Sequence, residues 1–422
     1  MLPKHKYTFF VLCIWALLFF HTSWAQTNQY NSKVYGLLYG TLFGDALGGP
    51  IEFQGSEYIN KTPFPIKIWS SDDTISQYEI NKLKERIILR PYSHLRPYPE
   101  HYAQWAYNAP PGTITDDSRN KIVLMHALRK KAKKHNKQLS EKDMAKAYLE
   151  WLTPALNKSQ NLYDSLNKDW TYEITLAARW VLGIRDSTSA PPERMWNSLP
   201  TCWGQMTNTP LASLYPGDTT AAYLLAYNIS FYDHAFARDA NAALVAGIAK
   251  ALTLDASSLS HKDIWMKIIS SIRNTDPYNY KKVPWSRRGI NQYLDLADSL
   301  VIHSQQKPYL LFEKLNQKFA DNEKWEAQVV ITVLFSILQM CEYDPLASMQ
   351  MSIEWGWDTD TYPQLLGAFI GAIYGESIFK KEWKDLIKQR LWLDYNEDID
   401  EWHKILALLK KAGEKKKLWK ER

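Results

Sequence analysis

Glycine recurs at every fourth position in two separate stretches of this 422-residue chain. The first holds Gly36, Gly40, Gly44 and Gly48; the second holds Gly367, Gly371 and Gly375. Both are otherwise apolar at three- and four-residue spacing, so both read as helices. Four residues is close to one helical turn, and the glycines therefore line one face as a strip without side chains. Such a strip admits another helix to close contact, which predicts a tightly packed central pair. The chain has only 17 glycines in all, which excludes a collagen-like fold.

The same periodicity continues through 118–132, 219–235, 240–254, 290–304, 325–341, 360–378 and 399–412. Two-residue alternation bounded by turn residues is scarce. The expected fold class is all-α, in one compact multi-helix domain. Two stretches break the pattern: 54–114, rich in Pro, Tyr and charge, and 183–218, with five prolines. The first reads as a surface insertion or a cleft wall, its 91–112 portion offering rings for stacking. A 45% hydrophobic, 23% charged composition excludes wholesale disorder. Net charge +6 is too mild to suggest a nucleic-acid partner.

The N-terminus reads as a signal peptide over residues 1–25. Lys4 and Lys6 precede a 14-residue apolar run, 7–20, and Ser23 and Ala25 suit cleavage before Gln26. The chain then divides into a 26–412 domain and a basic tail, 413–422, expected to be solvated. Export to a periplasmic or secreted location follows as an expectation. No later apolar run reaches 18 residues, so no membrane span is expected after cleavage. Cleavage would leave Cys202 and Cys341, which an oxidising compartment allows to pair.

Three acidic motifs carry chemistry. Asp45 follows Gly44 in an apolar helix, where a charge is costly unless paired or bound to a metal. Glu52 comes after Pro50 has ended that helix. Gly112-Thr-Ile-Thr-Asp-Asp-Ser opens a second helix, and capping by Thr115 or Asp116, with Asp117 at the positive dipole end, explains it locally. Gly356-Trp-Asp-Thr-Asp-Thr opens a third. Capping accounts for one acid there, but not for Asp358, Asp360 and Thr361 together. Two such helix starts facing each other would present four carboxylates and two hydroxyls to one point. Divalent cations would stabilise that arrangement, and an all-oxygen set favours Mg²⁺, Mn²⁺ or Ca²⁺.

GDALGGPIE (44–52), TDDS (115–118) and GWDTDT (356–361), in this order, resemble the motifs of the ADP-ribosylglycohydrolase family, and the similarity extends over residues 35–380. The resemblance implies an all-α ADP-ribosylglycohydrolase-like fold around a binuclear Mg²⁺ or Mn²⁺ centre. By motif position the metal ligands would be Thr115, Asp116, Asp117, Asp358, Asp360 and Thr361. Gly44, Asp45 and Trp357 would border the substrate. Asp117 or Glu52 would position or deprotonate the water that attacks a glycosidic bond to ribose. The implied substrate is a small-molecule or protein-linked ADP-ribosyl or glycosyl conjugate. Two positions depart from the family pattern: Ser118 replaces a Thr, and Trp357 replaces a Gly, where a ring would narrow the cleft. Other readings are a hydrolase of another glycosyl bond and a metal-dependent binding protein without turnover. No GxSxG, HExxH, CxxC or P-loop motif is present. Asp233 and His234 are left undecided between structural and functional roles.

Overall fold

The computed structural model describes residues 28–53, 67–92, 109–134, 138–152, 172–279 and 288–420. The signal-peptide segment and most of the aromatic stretch 91–112 lie outside these residues. Among the described residues there is no strand, only an isolated antiparallel bridge between Thr201 and Glu326. The helices are α1 (28–48), α2 (Gln77–Glu85), α3 (Asp116–Lys133), α4 (Glu141–Leu152) and α5 (Tyr172–Val181). They continue with α6 (Trp203–Thr207), α7 (Thr219–Ile229), α8 (Ala235–Ala251), α9 (His261–Asn274) and α10 (Gly289–Ser304). The last are α11 (Pro308–Lys318), α12 (Ala327–Met340), α13 (Pro345–Glu354), α14 (Thr361–Tyr374), α15 (Lys381–Tyr395) and α16 (Ile399–Lys420). No described helix is long and apolar enough to cross a membrane.

The two glycine strips meet. A Cβ on Gly36 would lie 2.4 Å from the Gly371 carbonyl oxygen, and one on Gly40 2.0 Å from that of Gly367. One on Gly44 would lie 2.0 Å from the Pro363 oxygen, and one on Gly48 1.6 Å from that of Thr359. Each step of four up α1 is a step of four down α14, so the helices run antiparallel in backbone contact. Any side chain in the strip would force them apart. This register brings the C-terminal end of α1, with Asp45 and Glu52, to the N-terminal end of α14.

α14 and the neighbouring α8 and α12 are buried almost all round, as their Ala-, Val- and Leu-rich sequences require. Helix α8 packs against α7, α9, α12 and α14. The expected helix 219–235 instead stops at Ile229. Ser230 turns the chain (ψ 66°), and its hydroxyl accepts from Asn208 and Asn241 at 2.9 and 2.8 Å. Side-chain bonds there replace the helical ladder, as Ser and Asn favour. The final helix runs on to Lys420, so the basic tail prolongs α16.

Candidate metal centre

Thr115 caps α3, its Oγ1 accepting the Asp117 N–H at 3.3 Å. The same hydroxyl reaches Asp45 Oδ1 at 2.7 Å and Asp360 Oδ2 at 2.9 Å, so one proton is shared between two carboxylates. Asp360 caps α14 through its own following amide, Thr361 N to Oδ1 at 2.9 Å. Thr361 Oγ1 in turn donates to Asp117 Oδ2 at 3.3 Å. Each helix start thus sends a threonine hydroxyl to an aspartate of the other.

Carboxylate oxygens of Glu52, Asp358 and Asp360 lie within 4.8 Å of one another, and so do those of Asp116, Asp117 and Asp360. Asp360 belongs to both triplets. The loop leading into Asp358 is anchored from behind. Glu354, at the end of α13, accepts from Arg86 at 2.7 and 3.0 Å, from Trp69 Nε1 at 3.1 Å and from Gln350 at 2.9 Å. Thr359 Oγ1 donates to the Gly48 carbonyl at 3.0 Å, tying the loop to α1.

The electrostatics are those of a site short of positive charge. Burial, then repulsion from Asp360, pushes the Asp117 and Asp358 carboxyls well above the ordinary range. Asp45 is pushed up to about 7 for the same two reasons. A buried cation, Lys121, lies among them, its Nζ donating to the Asp117 carbonyl at 3.0 Å. Burial lowers that ammonium to about 8. Among the described residues, the buried Oδ1 of Asp117 meets no hydrogen-bond donor. An orphaned carboxylate oxygen beside two oxygen-only triplets fits hard divalent cations.

The sequence profile of the ADP-ribosylglycohydrolase family matches residues 26–416. The chain belongs to the ADP-ribosylglycohydrolase family. It is therefore a hydrolase of the ADP-ribosylglycohydrolase kind, in a metal-dependent family. A solved structure titled "ADP-ribosylglycohydrolase-related protein complex" shares the fold, with a TM-score of 0.51 at 14% identity. That alignment covers 91% of this chain and 99% of the other. No curated protein matches the sequence.

In this family member a cavity of roughly 380 Å³ opens over the carboxylates. Glu52, Asp116, Asp117, Asp358 and Thr361 form its polar side. Phe53, Trp196, Trp203, Met206 and Trp325 form an apolar side, and Thr201 and Cys202 also line it. Trp196 stacks on Trp203 at 5.7 Å, and Trp325 meets Trp196 edge-on at 6.5 Å. Trp203 is fixed by its Nε1–H bond to Tyr148 Oη at 2.8 Å, which donates to Asn120 of α3 at 3.1 Å. The carboxylate side was legible in the motifs, but the tryptophan wall was not. Trp196 and Trp203 lie in the irregular segment 183–218, and two rings in a Pro-rich loop were the available signal.

Three expected substrate contacts lie elsewhere. Gly44 is under the Pro363 carbonyl in the helix crossing. Asp45 is fully buried, its oxygens taken by the amides of Thr115 and Ser118, each at 3.0 Å. Trp357 does not line the cavity. Its ring packs on Phe312 and Trp355, with Lys324 Nζ 4.6 Å from its centroid. The backbone explains this orientation: Gly356 and Trp357 both take positive φ, 82° and 64°. A left-handed Trp costs about 1–2 kcal/mol, which a Gly would avoid. Losing a packed Trp costs about 3–5 kcal/mol when fully buried, and this ring is partly exposed. Trp357→Gly should therefore lower stability by about 1–2 kcal/mol in urea unfolding and leave Mn²⁺ affinity unchanged. A tenfold change in that affinity would show that the ring acts on the centre.

The undecided pair is structural. Asp233 Oδ1 accepts the Gly204 amide at 3.0 Å and Oδ2 accepts Asn241 Nδ2 at 3.1 Å, holding the start of α6. His234 bonds the Ser198 carbonyl at 2.7 Å, steadying the loop that carries Trp196. Cys202 and Cys341 are both free and buried; the considered disulfide is not formed. Burial raises the Asp233 carboxyl to about 7 from 3.8. A raised acid binds its proton more tightly folded than unfolded, so stability falls as pH rises from about 4 to 7 and stays low above. Three units correspond to about 4 kcal/mol. Urea midpoints should fall less steeply with pH over that window in Asp233→Asn than in the parent; equal slopes would refute the assignment.

Proposed function

We propose that this protein is an exported, metal-dependent glycosidase that hydrolyses the bond between ribose and its leaving group in ADP-ribosyl conjugates. The observation that carries the reading is the pair of oxygen triplets sharing Asp360 beneath an open cavity. Glu52, Asp358, Asp360 and Thr361 would hold one Mg²⁺ or Mn²⁺, and Thr115, Asp116, Asp117 and Asp360 the other. Bound cations supply Lewis acidity and a grip on ribose hydroxyls. The chain's own groups do the rest. Glu52, on the polar side of the cavity, positions the attacking water and accepts its proton through the carboxylate oxygen that it does not give to the cation, while Thr361 holds Asp117 Oδ2. The tryptophan wall excludes bulk water and offers flat faces to the substrate. That wall also favours a second reading, hydrolysis of another ribosyl or glycosyl bond whose ring stacks on Trp196 or Trp325.

Calorimetric titration of metal-stripped 26–422 with Mn²⁺, Mg²⁺ and then ADP-ribose tests the proposal, followed by product release from arginine- and serine-linked conjugates. Two-site metal binding, ADP-ribose affinity and release of ADP-ribose are expected. Metal binding without ADP-ribose affinity would transfer the assignment to the second reading. Absence of metal binding would reduce the aspartates to helix caps.

A further inference from the structure

Lys121, in the second turn of α3, has no exposed surface, and it lies behind the cavity lining rather than in it. A lysine is almost never fully buried unless its charge is balanced. Its Nζ donates to the Asp117 carbonyl at 3.0 Å, one turn back on the same helix. That acceptor is neutral, so the balance comes through space. The charges that act on the ammonium most strongly are those of Asp117, Asp45, Asp360 and Asp116. Three of these four make up one of the two oxygen triplets. The same triplet holds an unsatisfied group. Asp117 is 2% exposed, and its Oδ1 meets no hydrogen-bond donor among the described residues. The lysine takes the Asp117 carbonyl and leaves that carboxylate oxygen open. A buried carboxylate oxygen without a donor points to a cation. The ammonium therefore sits beside the cation's place without filling it.

An ammonium and a divalent cation repel, and the repulsion is several times stronger in a protein interior than in water. The same ammonium attracts the carboxylates of the metal-free protein. It stabilises this end when empty and opposes its filling. Glu52 and Asp358, of the other triplet, belong to the turn after α1 and the loop before α14 rather than to α3. We infer that Lys121 is a built-in counter-cation of the Asp116–Asp117–Asp360 end, so that this end holds its divalent cation more weakly than the Glu52–Asp358–Asp360 end and the two cations bind in separate steps. The inference rests on the acidic cluster being a metal centre, and adds to it an order of filling and the residue that sets it. Lys121 is a positioning residue in this scheme, since it acts on the ligands and not on the substrate. A lysine that only shaped the fold would weaken both cations when removed. A counter-cation, when removed, strengthens one of them.

The test is Mn²⁺ calorimetry on metal-stripped 26–422, with thermal unfolding of the same samples in chelator and in saturating Mn²⁺. The parent should show two steps that differ at least about tenfold in affinity. Asp116→Asn should remove the weaker step and spare the tighter, which assigns the weaker step to this end. Lys121→Met keeps an unbranched apolar stem and loses the charge. It should tighten the weaker step at least about tenfold and leave the tighter one within about threefold. It should also melt below the parent in chelator and gain more from Mn²⁺ than the parent does. Lys121→Gln should behave likewise and replaces the Met variant if that one does not fold. Two equal steps in the parent would overturn the inference and leave the metal centre standing. So would a weaker step that stays unchanged, or loosens together with the tighter one, in a folded Lys121 variant. Failure of the parent to bind Mn²⁺ would overturn the metal centre itself, and this inference with it.

Discussion

Asp360→Asn should abolish two-site metal binding while raising the stability of the metal-free protein. Asp360 is the only carboxylate common to both oxygen triplets among the described residues. Its loss removes a charge from each, and an amide is a poor ligand for Mg²⁺ or Mn²⁺. If the cations contribute about 4 kcal/mol to the transition state, activity should fall about a thousandfold. The apo protein responds oppositely. Asp360 repels Asp45, Asp117 and Asp358, raising the proton affinity of each. Removing its charge should therefore stabilise the metal-free fold by on the order of 1 kcal/mol for each relieved neighbour. The Asn carbonyl can still cap Thr361. Calorimetry with Mn²⁺ and urea unfolding in chelator measure the two effects separately. Retained two-site binding would refute the shared-ligand assignment, and lower apo stability would show that Asp360 is chiefly a structural cap.

Gly40→Ala should be among the most destabilising single-methyl additions in the chain. The new Cβ would lie 2.0 Å from the Gly367 carbonyl oxygen and 2.8 Å from the Phe379 ring. Backbone on the far side cannot rotate away, so α1 and α14 must separate. Overpacking of this kind costs about 3 kcal/mol or more. Because the same crossing aligns Glu52 with Asp358, separation should also weaken Mn²⁺ binding although Gly40 lies more than two helical turns from Glu52. The matched measurements are the urea midpoint and the Mn²⁺ isotherm. A variant within about 0.5 kcal/mol of the parent would mean that the helix pair has slack.

The helical class, the glycine-lined pair and the acidic helix starts were written in local sequence. Each depends on residues within a turn or two: periodicity for a helix, a missing Cβ for a close crossing, a Thr or Asp for a cap. The juxtaposition of TDDS and GWDTDT was implied by the resemblance to the ADP-ribosylglycohydrolase family; charge alone says what such a meeting requires, not that it occurs. Other features required the folded chain. Asp45 looked like a substrate contact, yet its depth beneath Thr115 and Ser118 makes it a plug for the start of α3. Glu52 joined a triplet because the turn after α1 swings it over Asp358. Trp357 left the cleft because its left-handed backbone directs the ring toward Phe312. Lys121, Cys202 and Trp325 carry no local signature, and Trp196 and Trp203 only the weak one of two rings in a Pro-rich segment. Lys121 is an ordinary helical lysine by sequence, and the other four sit near loop ends far from the acidic motifs. Sequence thus determined which helices form and which of their ends carry charge, since those are decided by neighbours along the chain. Tertiary structure decided which side chains share the cavity, since that depends on crossing register and backbone sign, set by contacts among residues hundreds of positions apart.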